Sequence, residues 1–246
     1  MIDLHCHLLP GIDDGPDTMK ESIELCRMAA EDGVTHAIVT PHIHPGRWDN
    51  SRELIAKLCD ELQTQLDELE IPLQLGFAGE VRLTDEIIHQ VERGEIPFYG
   101  KVNGYDIMLL EFPHAHIIPG SDKLVSWLLG RGIRPLIAHP ERNKQLMNDP
   151  TQIHSFVEAG CWLQLTSGSI VGGFGARAQE LALRMLKENL ITVVASDGHN
   201  CKARKPVLKQ AFDAIASQFG DEKATELTVT TPAVIAANQL DLPLAS

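Results

Sequence analysis

Short apolar runs alternate with longer amphipathic segments along most of this chain, and turn-forming Gly, Pro, Asp and Asn stand between them. The first run carries Met1, Ile2 and Leu4 and ends on His5-Cys6-His7, which predicts a buried strand. After a polar loop over 10–16, Thr18 and Glu21 have capping-box spacing. Met19, Ile23, Cys26 and Ala30 then mark one face of a helix that stops at Gly33. A strand over 37–40 leads into Pro41-His42, and a helix over 51–69 carries Leu54, Leu58, Leu62, Leu66 and Leu69 as a core row. A strand over 73–78 ends at Gly79-Glu80 and is followed by a helix over 84–93. The next strand, 106–110, ends at Glu111, and its helix spans 121–131. The strand over 135–138 ends at His139-Pro140-Glu141-Arg142, before a helix over 150–159. A strand over 161–165, a helix over 176–189 and a strand over 191–195 complete the alternation, the last ending at Ser196-Asp197-Gly198-His199. Two further helices are expected, over 206–219 and after Thr231-Pro232.

Seven strands separated by helices imply right-handed crossovers and a parallel sheet, in a single α/β domain over 1–246. The placement of polar residues selects among such folds. Six of the seven strands put His, Glu or Asp at or just past their carboxyl ends: His5 and His7, His42, Glu80, Glu111, His139, then Asp197 and His199. An open sheet binds at one switch point, whereas a barrel brings every strand end to one mouth. The expected fold is therefore a distorted (β/α)7 TIM-like barrel with a metal site at the carboxyl ends of its strands.

Composition narrows the function. At 246 residues and 43% hydrophobic content the chain can bury a full core. A formal charge of −13 without a Lys/Arg stripe argues against nucleic acid as a partner. No apolar run approaches the roughly 18 residues that span a bilayer, and the first residues lack the pattern of a signal peptide, so the expectation is a soluble, cytoplasmic protein. Five widely spaced cysteines without C-x-x-C read as reduced thiols rather than as a disulfide framework or zinc ribbon.

Imidazoles and carboxylates without thiolates suit Zn, Mn or Fe, and carboxylates can bridge two ions. With Asp14 from the first loop there are nine candidate ligands, more than one ion needs, which points to two or three. In an extended chain residues two apart share a face, so His5 and His7 project together, and Asp197 and His199 repeat that spacing. Glu80 and Glu111 end apolar strands, where an unpaired carboxylate is unfavourable. His42 and His139 adjoin prolines and fit equally well as turn residues. His44, His114 and His116 lie in loops near the expected mouth.

D-L-H-C-H, T-P-H, G-x-E, H-P-E-R and S-D-G-H, in this order, resemble the PHP (polymerase and histidinol phosphatase) family. The forms L-P-G-I-D-D-G-P and H-P-E-R-N resemble its bacterial metal-dependent protein tyrosine phosphatase branch, linked to capsular or exopolysaccharide synthesis. The resemblance extends to about Arg204 and implies three divalent ions, with Mn foremost and Fe or Zn as alternatives. It assigns one ion to His5, His7, Glu80 and Asp197, a second to Glu80, Glu111 and His139, and a third to Asp14, His42 and His199. Asp14 is preferred to its neighbour Asp13 by alignment of the loop alone. Glu111 stands where histidinol-phosphatase-like branches carry His. Arg142, three residues past His139, can make a bidentate phosphate contact. Arg204 matches a second arginine of the branch, and Arg47 is as well explained as a surface charge. The implied substrate is a phosphotyrosyl protein, specifically the tail of a bacterial tyrosine kinase. The Cys-x5-Arg loop of thiol phosphatases is absent at all five cysteines. Two other readings are a histidinol-phosphate-type phosphatase and a metal-bound phosphotyrosine-binding module without turnover.

Overall fold

In the computed structural model, which describes residues 1–240, the chain begins with β1 (Ile2–Cys6), α1 (Met19–Glu31), β2 (His36–Val39), β3 (His42–Ile43) and α2 (Arg52–Glu68). It continues through β4 (Gln74–Phe77), β5 (Glu80–Arg82), α3 (Ile87–Glu92), β6 (Lys101–Val102), β7 (Tyr105–Glu111), α4 (Ser121–Gly130) and β8 (Ile133–Ala138). A short 3₁₀ turn, Pro140–Arg142, precedes α5 (Lys144–Asn148), α6 (His154–Ala159), β9 (Trp162–Thr166), α7 (Ser167–Ile170), α8 (Ala176–Lys187) and β10 (Val193–Ala195). The last helices are α9 (Lys209–Phe219), α10 (Asp221–Thr225) and α11 (Thr231–Ala236). Residues 241–246 of the expected domain lie outside the described residues.

Among the described residues the strands form two sheets, in the order β1-β2-β4 and β10-β9-β8-β7-β5-β3, and every pair in these orders is parallel. The strand expected at 37–40 is thus two segments: β2 pairs in one sheet, and the chain passes Thr40 and Pro41, which has no N–H to give, before β3 joins the other. Ala78 and Gly79 part β4 from β5 in the same way. At the far side, main-chain bonds tie the end of β1 to the segment after β10: Asp197 N–H donates to the His5 carbonyl at 2.7 Å and His7 N–H to the Gly198 carbonyl at 2.8 Å. Asp3 adds a side-chain tie, its Oδ1 accepting from Ser196 N–H at 2.9 Å.

Two apolar clusters flank the strands. Ile2, Leu4, Ile38, Ala78, Ile107, Leu109, Leu136, Ala138 and Val193 form the smaller, which Ile235, Ala236 and Leu240 close from the C-terminal segment. Residues of opposite parity, such as Val39, Met108, Leu110, Ile137 and Val194, pack with the helices in the larger. Gln239 fastens the closing segment, accepting from Phe77 N–H at 2.9 Å and donating to the Phe98 and Tyr99 carbonyls at 2.9 and 2.8 Å.

Several boundaries differ from the sequence reading. β6 and β7 form an antiparallel hairpin around Asn103-Gly104, whose φ values of 51° and 84° are what a two-residue turn requires. The expected helix over 84–93 is ordered as helix only over α3. The expected helix over 150–159 is a 3₁₀ turn, Pro150–Ile153, running into α6. α9 starts at Lys209 because Asp32, beyond α1, accepts from the N–H groups of Leu208 and Lys209 at 2.6 and 2.8 Å. On α2 the buried row is Ile55, Cys59, Leu62 and Leu66, whereas Leu54 and Leu69 are 39% and 47% exposed. The capping box on α1 is present, with Thr18 accepting from Glu21 N–H and Glu21 accepting from Thr18 N–H. No helix among the described residues is long and apolar enough to cross a membrane.

Candidate metal centre

All nine candidate ligands gather in one cluster, His42 and Glu80 opening β3 and β5, Asp14 coming from the first loop and the rest at or just past strand ends, but three of them, His5, His7 and His139, reach it by breaking strict alternation. Ile38, Ala78, Leu109 and Val193 of the inner cluster share parity with His42, Glu80, Glu111 and Asp197. Within an unbroken strand, as from Leu109 to Glu111 in β7, a side chain two residues further along stays on the same face. Leu4 and Ala138 are followed directly by His5 and His139, which plain alternation would turn outward. In β1 the register shifts between Asp3 and Cys6, and this bulge changes the facing of His5 and His7. Cys6 consequently packs in the outer cluster. At β8, His139 takes a left-handed φ of 34°, and Asp197 does the same at 51°. Such conformations are unfavourable for non-Gly residues and collect at functional sites.

The donor atoms lie close together. His5 Nε2 is 3.2 Å from His7 Nε2, 3.4 Å from Glu80 Oε1 and 3.2 Å from Asp197 Oδ1. His139 Nε2 is 2.9 Å from Glu80 Oε1, and His42 Nδ1 is 2.8 Å from Glu80 Oε2. Asp14 Oδ1 stands 3.3 Å from His42 Nε2 and 3.2 Å from His199 Nε2. Mutual distances within 4.8 Å define four groups: His7, Asp14, His42 and His199; His5, His7 and Glu80; His5, His139 and Asp197; and His42, Glu80 and Glu111. Glu111 thus falls with Glu80 and His42, and His139 with His5 and Asp197, while His139 Nε2 also lies 2.9 Å from Glu80 Oε1.

Outer partners fix the rings. Gln164 Oε1 lies 2.9 Å from His5 Nδ1, and Asp13 Oδ2 lies 2.7 Å from His7 Nδ1. The Asp197 carbonyl lies 2.9 Å from His199 Nδ1. In each case Nε2 is left facing inward, the arrangement by which metal-binding histidines are oriented. The same Asp13 oxygen accepts from His42 N–H at 3.1 Å, so Asp13 positions two candidate ligands while Asp14 faces the cluster. Gly15 is required beside them: a Cβ there would stand 2.7 Å from the His7 carbonyl oxygen.

Charge is distributed unevenly in this ring. Burial disfavours the imidazolium of His7, but Asp13 outweighs it and raises the pKa to about 9. Burial is likewise overcome at His42 by Glu80 and Asp14, to about 11. Burial and the Arg142 cation push His139 down to about 3, and burial with His7 pushes His199 down to about 4. Burial opposes ionisation of Glu80 and Asp197, yet neighbouring cations hold both well below the usual carboxylate range. Glu111 is raised by burial and by Glu80, despite its ion pair with Arg82 Nη1 at 2.8 Å.

His42 Nδ1, Glu80 Oε2, Asp197 Oδ1 and His199 Nε2 are buried without an aligned hydrogen bond, although His42 Nδ1 and Glu80 Oε2 lie 2.8 Å apart. Four such donor atoms converging in one cluster fit a cation, since burying unpaired polar atoms is otherwise unfavourable. Nitrogen and carboxylate donors without sulfur match a site for Mn, Fe or Zn.

Arginines rim the cluster. Arg142 Nη1 and Arg204 Nη2 both donate to Asp197 Oδ2, the latter at 2.6 Å, which leaves Oδ1 for the interior. Both line a cleft of about 370 Å³ with His44, Arg47, Trp48, Arg82 and His114. His116 is exposed and is not part of that lining. The Arg47 guanidinium lies over Trp48, 4.0 Å from the ring centroid. Arg82, Gln164 and Asp13 are participants that sequence reasoning did not assign. Arg82 follows Glu80 by two residues, and its spacing along β5 was the available signal.

Parallel strands and a buried imidazole and carboxylate cluster, rimmed by arginines, define a candidate metal centre of an α/β protein. Residues 1–237 match the family described as capsular polysaccharide synthesis, CpsB/CapC. The tyrosine-protein phosphatase YwqE of Bacillus subtilis is 35% identical over 93% of this chain and 89% of its own. The tyrosine-protein phosphatase CpsB of Streptococcus pneumoniae is 31% identical over 98% of this chain and 100% of its own. A crystal structure from work on those two proteins, described as unique metal-dependent tyrosine phosphatases, aligns with a TM-score of 0.89 at 34% identity, covering 98% of this chain and 96% of the other. The chain belongs to the CpsB/CapC family.

Proposed function

We propose that this chain is a metal-dependent phosphomonoesterase that hydrolyses phosphotyrosine in proteins, and that it is one domain over 1–246. In this reading the two sheets are a distorted (β/α)7 TIM-like barrel with the metal site at the carboxyl ends of its strands. His5, His7, Asp14, His42, Glu80, Glu111, His139, Asp197 and His199 hold three divalent ions, Mn first and Fe or Zn as alternatives. The observation that carries the reading is the gathering of nitrogen and carboxylate atoms in overlapping groups of one buried cluster, four of them without an aligned hydrogen bond. Divalent ions held by these residues would supply Lewis acidity and lower the pKa of water.

The chain's own residues bind and orient the substrate. Asp197 occupies only part of the donor set of Arg142 and Arg204; Arg142 Nη2 also lies 3.3 Å from His114 Nε2, and the N–H groups left over can meet phosphate oxygens. Arg82 is held by Glu111 at the same rim and adds positive charge. The cleft is lined by partly exposed side chains such as His114, which suits a phosphoryl group carried on a protein side chain. A phosphotyrosyl protein, specifically the tail of a bacterial tyrosine kinase in polysaccharide synthesis, is the substrate this reading names. Five free cysteines, four of them buried, suit the reducing cytoplasm.

The test compares phosphate release from a phosphotyrosyl peptide and from histidinol phosphate, with and without chelator, alongside elemental analysis of the protein. Chelator-sensitive turnover of the peptide, exceeding that of histidinol phosphate, is expected. Preference for histidinol phosphate would reassign the substrate, and full turnover after metal removal would refute the mechanism.

A further inference from the structure

Three imidazoles of the cluster are oriented by an acceptor on Nδ1: Gln164 for His5, Asp13 for His7 and the Asp197 carbonyl for His199. His42 is built differently. Its Nδ1 lies 2.8 Å from Glu80 and its Nε2 3.3 Å from Asp14, so both nitrogens face the cluster and neither is free for an orienting bond. Its main chain is well held: Asn50 Nδ2 donates to the His42 carbonyl at 2.8 Å and to that of Ile12 at 2.9 Å, and Asp13 accepts from His42 N–H. The ring torsion is another matter, because the last torsion of a histidine is broad.

What fixes the plane is Trp48. Its indole lies face to face with the His42 imidazole, centroids 4.6 Å apart and planes within 8° of parallel. Arg47 covers Trp48 in turn. Turning the imidazole about its bond would open this contact and swing both nitrogens away from Glu80 and Asp14.

We propose that Trp48 is a positioning residue for His42, its indole face doing for this imidazole what an Nδ1 acceptor does for His5, His7 and His199. The proposal rests on the reading of His42 as a metal ligand. Mn²⁺ binding, followed through the resonance of the free ion, is compared in the natural chain and in Trp48→Phe, Trp48→Leu and His42→Ala. Trp48→Leu is expected to weaken binding of one ion by about 10–100-fold, the loss typical when an outer partner is removed. Trp48→Phe retains binding, because a phenyl face also stacks. The emission of Trp48, isolated by subtracting the Trp48→Phe spectrum from the natural one, should change on Mn²⁺ titration with the midpoint of binding, and that change should vanish in His42→Ala. If His42→Ala leaves Mn²⁺ binding intact, the ligand reading fails and the proposal with it. If His42→Ala weakens binding while Trp48→Leu does not, or Trp48→Phe loses as much as Trp48→Leu, only the positioning role is overturned. A Trp48 emission indifferent to Mn²⁺ overturns it as well, and decides the matter should Trp48→Leu not fold.

Discussion

Asp13 and Asp14 are adjacent and chemically identical, yet the fold gives them separate work: Asp14 faces the cluster, while one oxygen of Asp13 holds both His7 and the main chain of His42. Asp13→Ala should therefore weaken metal binding by about 10–100-fold with little change in fold, measured by metal titration and circular dichroism. His7→Ala and Asp197→Ala remove inward-facing donors and should abolish most turnover. Arg142→Ala should raise KM more than it lowers kcat, because its spare donors serve the phosphate; an unchanged KM would refute that role. The protons on this ring also set a pH dependence. His7 and His42 keep protons to about 9 and about 11, and a cation must displace them, whereas His139 and His199, near 3 and 4, are already neutral at pH 7. Metal binding should thus release protons at neutral pH, and affinity should rise with pH by up to about tenfold per unit for each proton displaced until His7 titrates. Calorimetry in buffers of different ionisation enthalpy reads the release directly. Affinity independent of pH in this range would contradict the assignment of these protons.

At the level of elements, the alternation of strands and helices was legible because apolar runs and amphipathic segments follow different periods, and charged residues at strand ends stood out against those runs. What alternation cannot carry is a change of parity. The bulge in β1 and the left-handed turn at His139 put ligands on a face that counting by twos assigns to the outside. Gln164, on β9, supports His5 across 159 residues of sequence, a pairing without any local trace. Asn103-Gly104 did carry its own signal as a hairpin turn, though the strand before it, β6, is too short to read as an apolar run. The five-leucine row on α2 shows the same limit in a helix, since the buried stripe is rotated to Ile55, Cys59, Leu62 and Leu66. Leu62→Ala should accordingly destabilise by about 2–5 kcal/mol, while Leu54→Ala at its exposed position stays within about 0.5 kcal/mol. Denaturant unfolding separates the two, and equal effects would mean that the stripe has been placed wrongly.

For the whole molecule, the cluster is where segments distant in sequence are held together. β1 meets the chain beyond β10 through two main-chain bonds next to His5, His7 and Asp197, and Glu80 opens β5 just past the point where the chain leaves one sheet for the other. A cation bound by these groups would bridge both junctions, so its loss should be felt as global stability and not only as lost turnover. With free metal at about 100 times its dissociation constant, linkage stabilises the folded state by about 2.7 kcal/mol. For a chain of this size that corresponds to a melting temperature raised by roughly 5–10 °C. Differential scanning calorimetry of chelated and Mn²⁺-restored protein measures the difference, and Glu80→Gln should shrink it, because Glu80 touches His5, His42 and His139 at once. If chelated and restored protein melt at the same temperature while turnover still depends on metal, the ion sits in a ring that the fold has already closed without it. The two junctions would then owe their stability to the main-chain bonds and to the apolar cluster beneath.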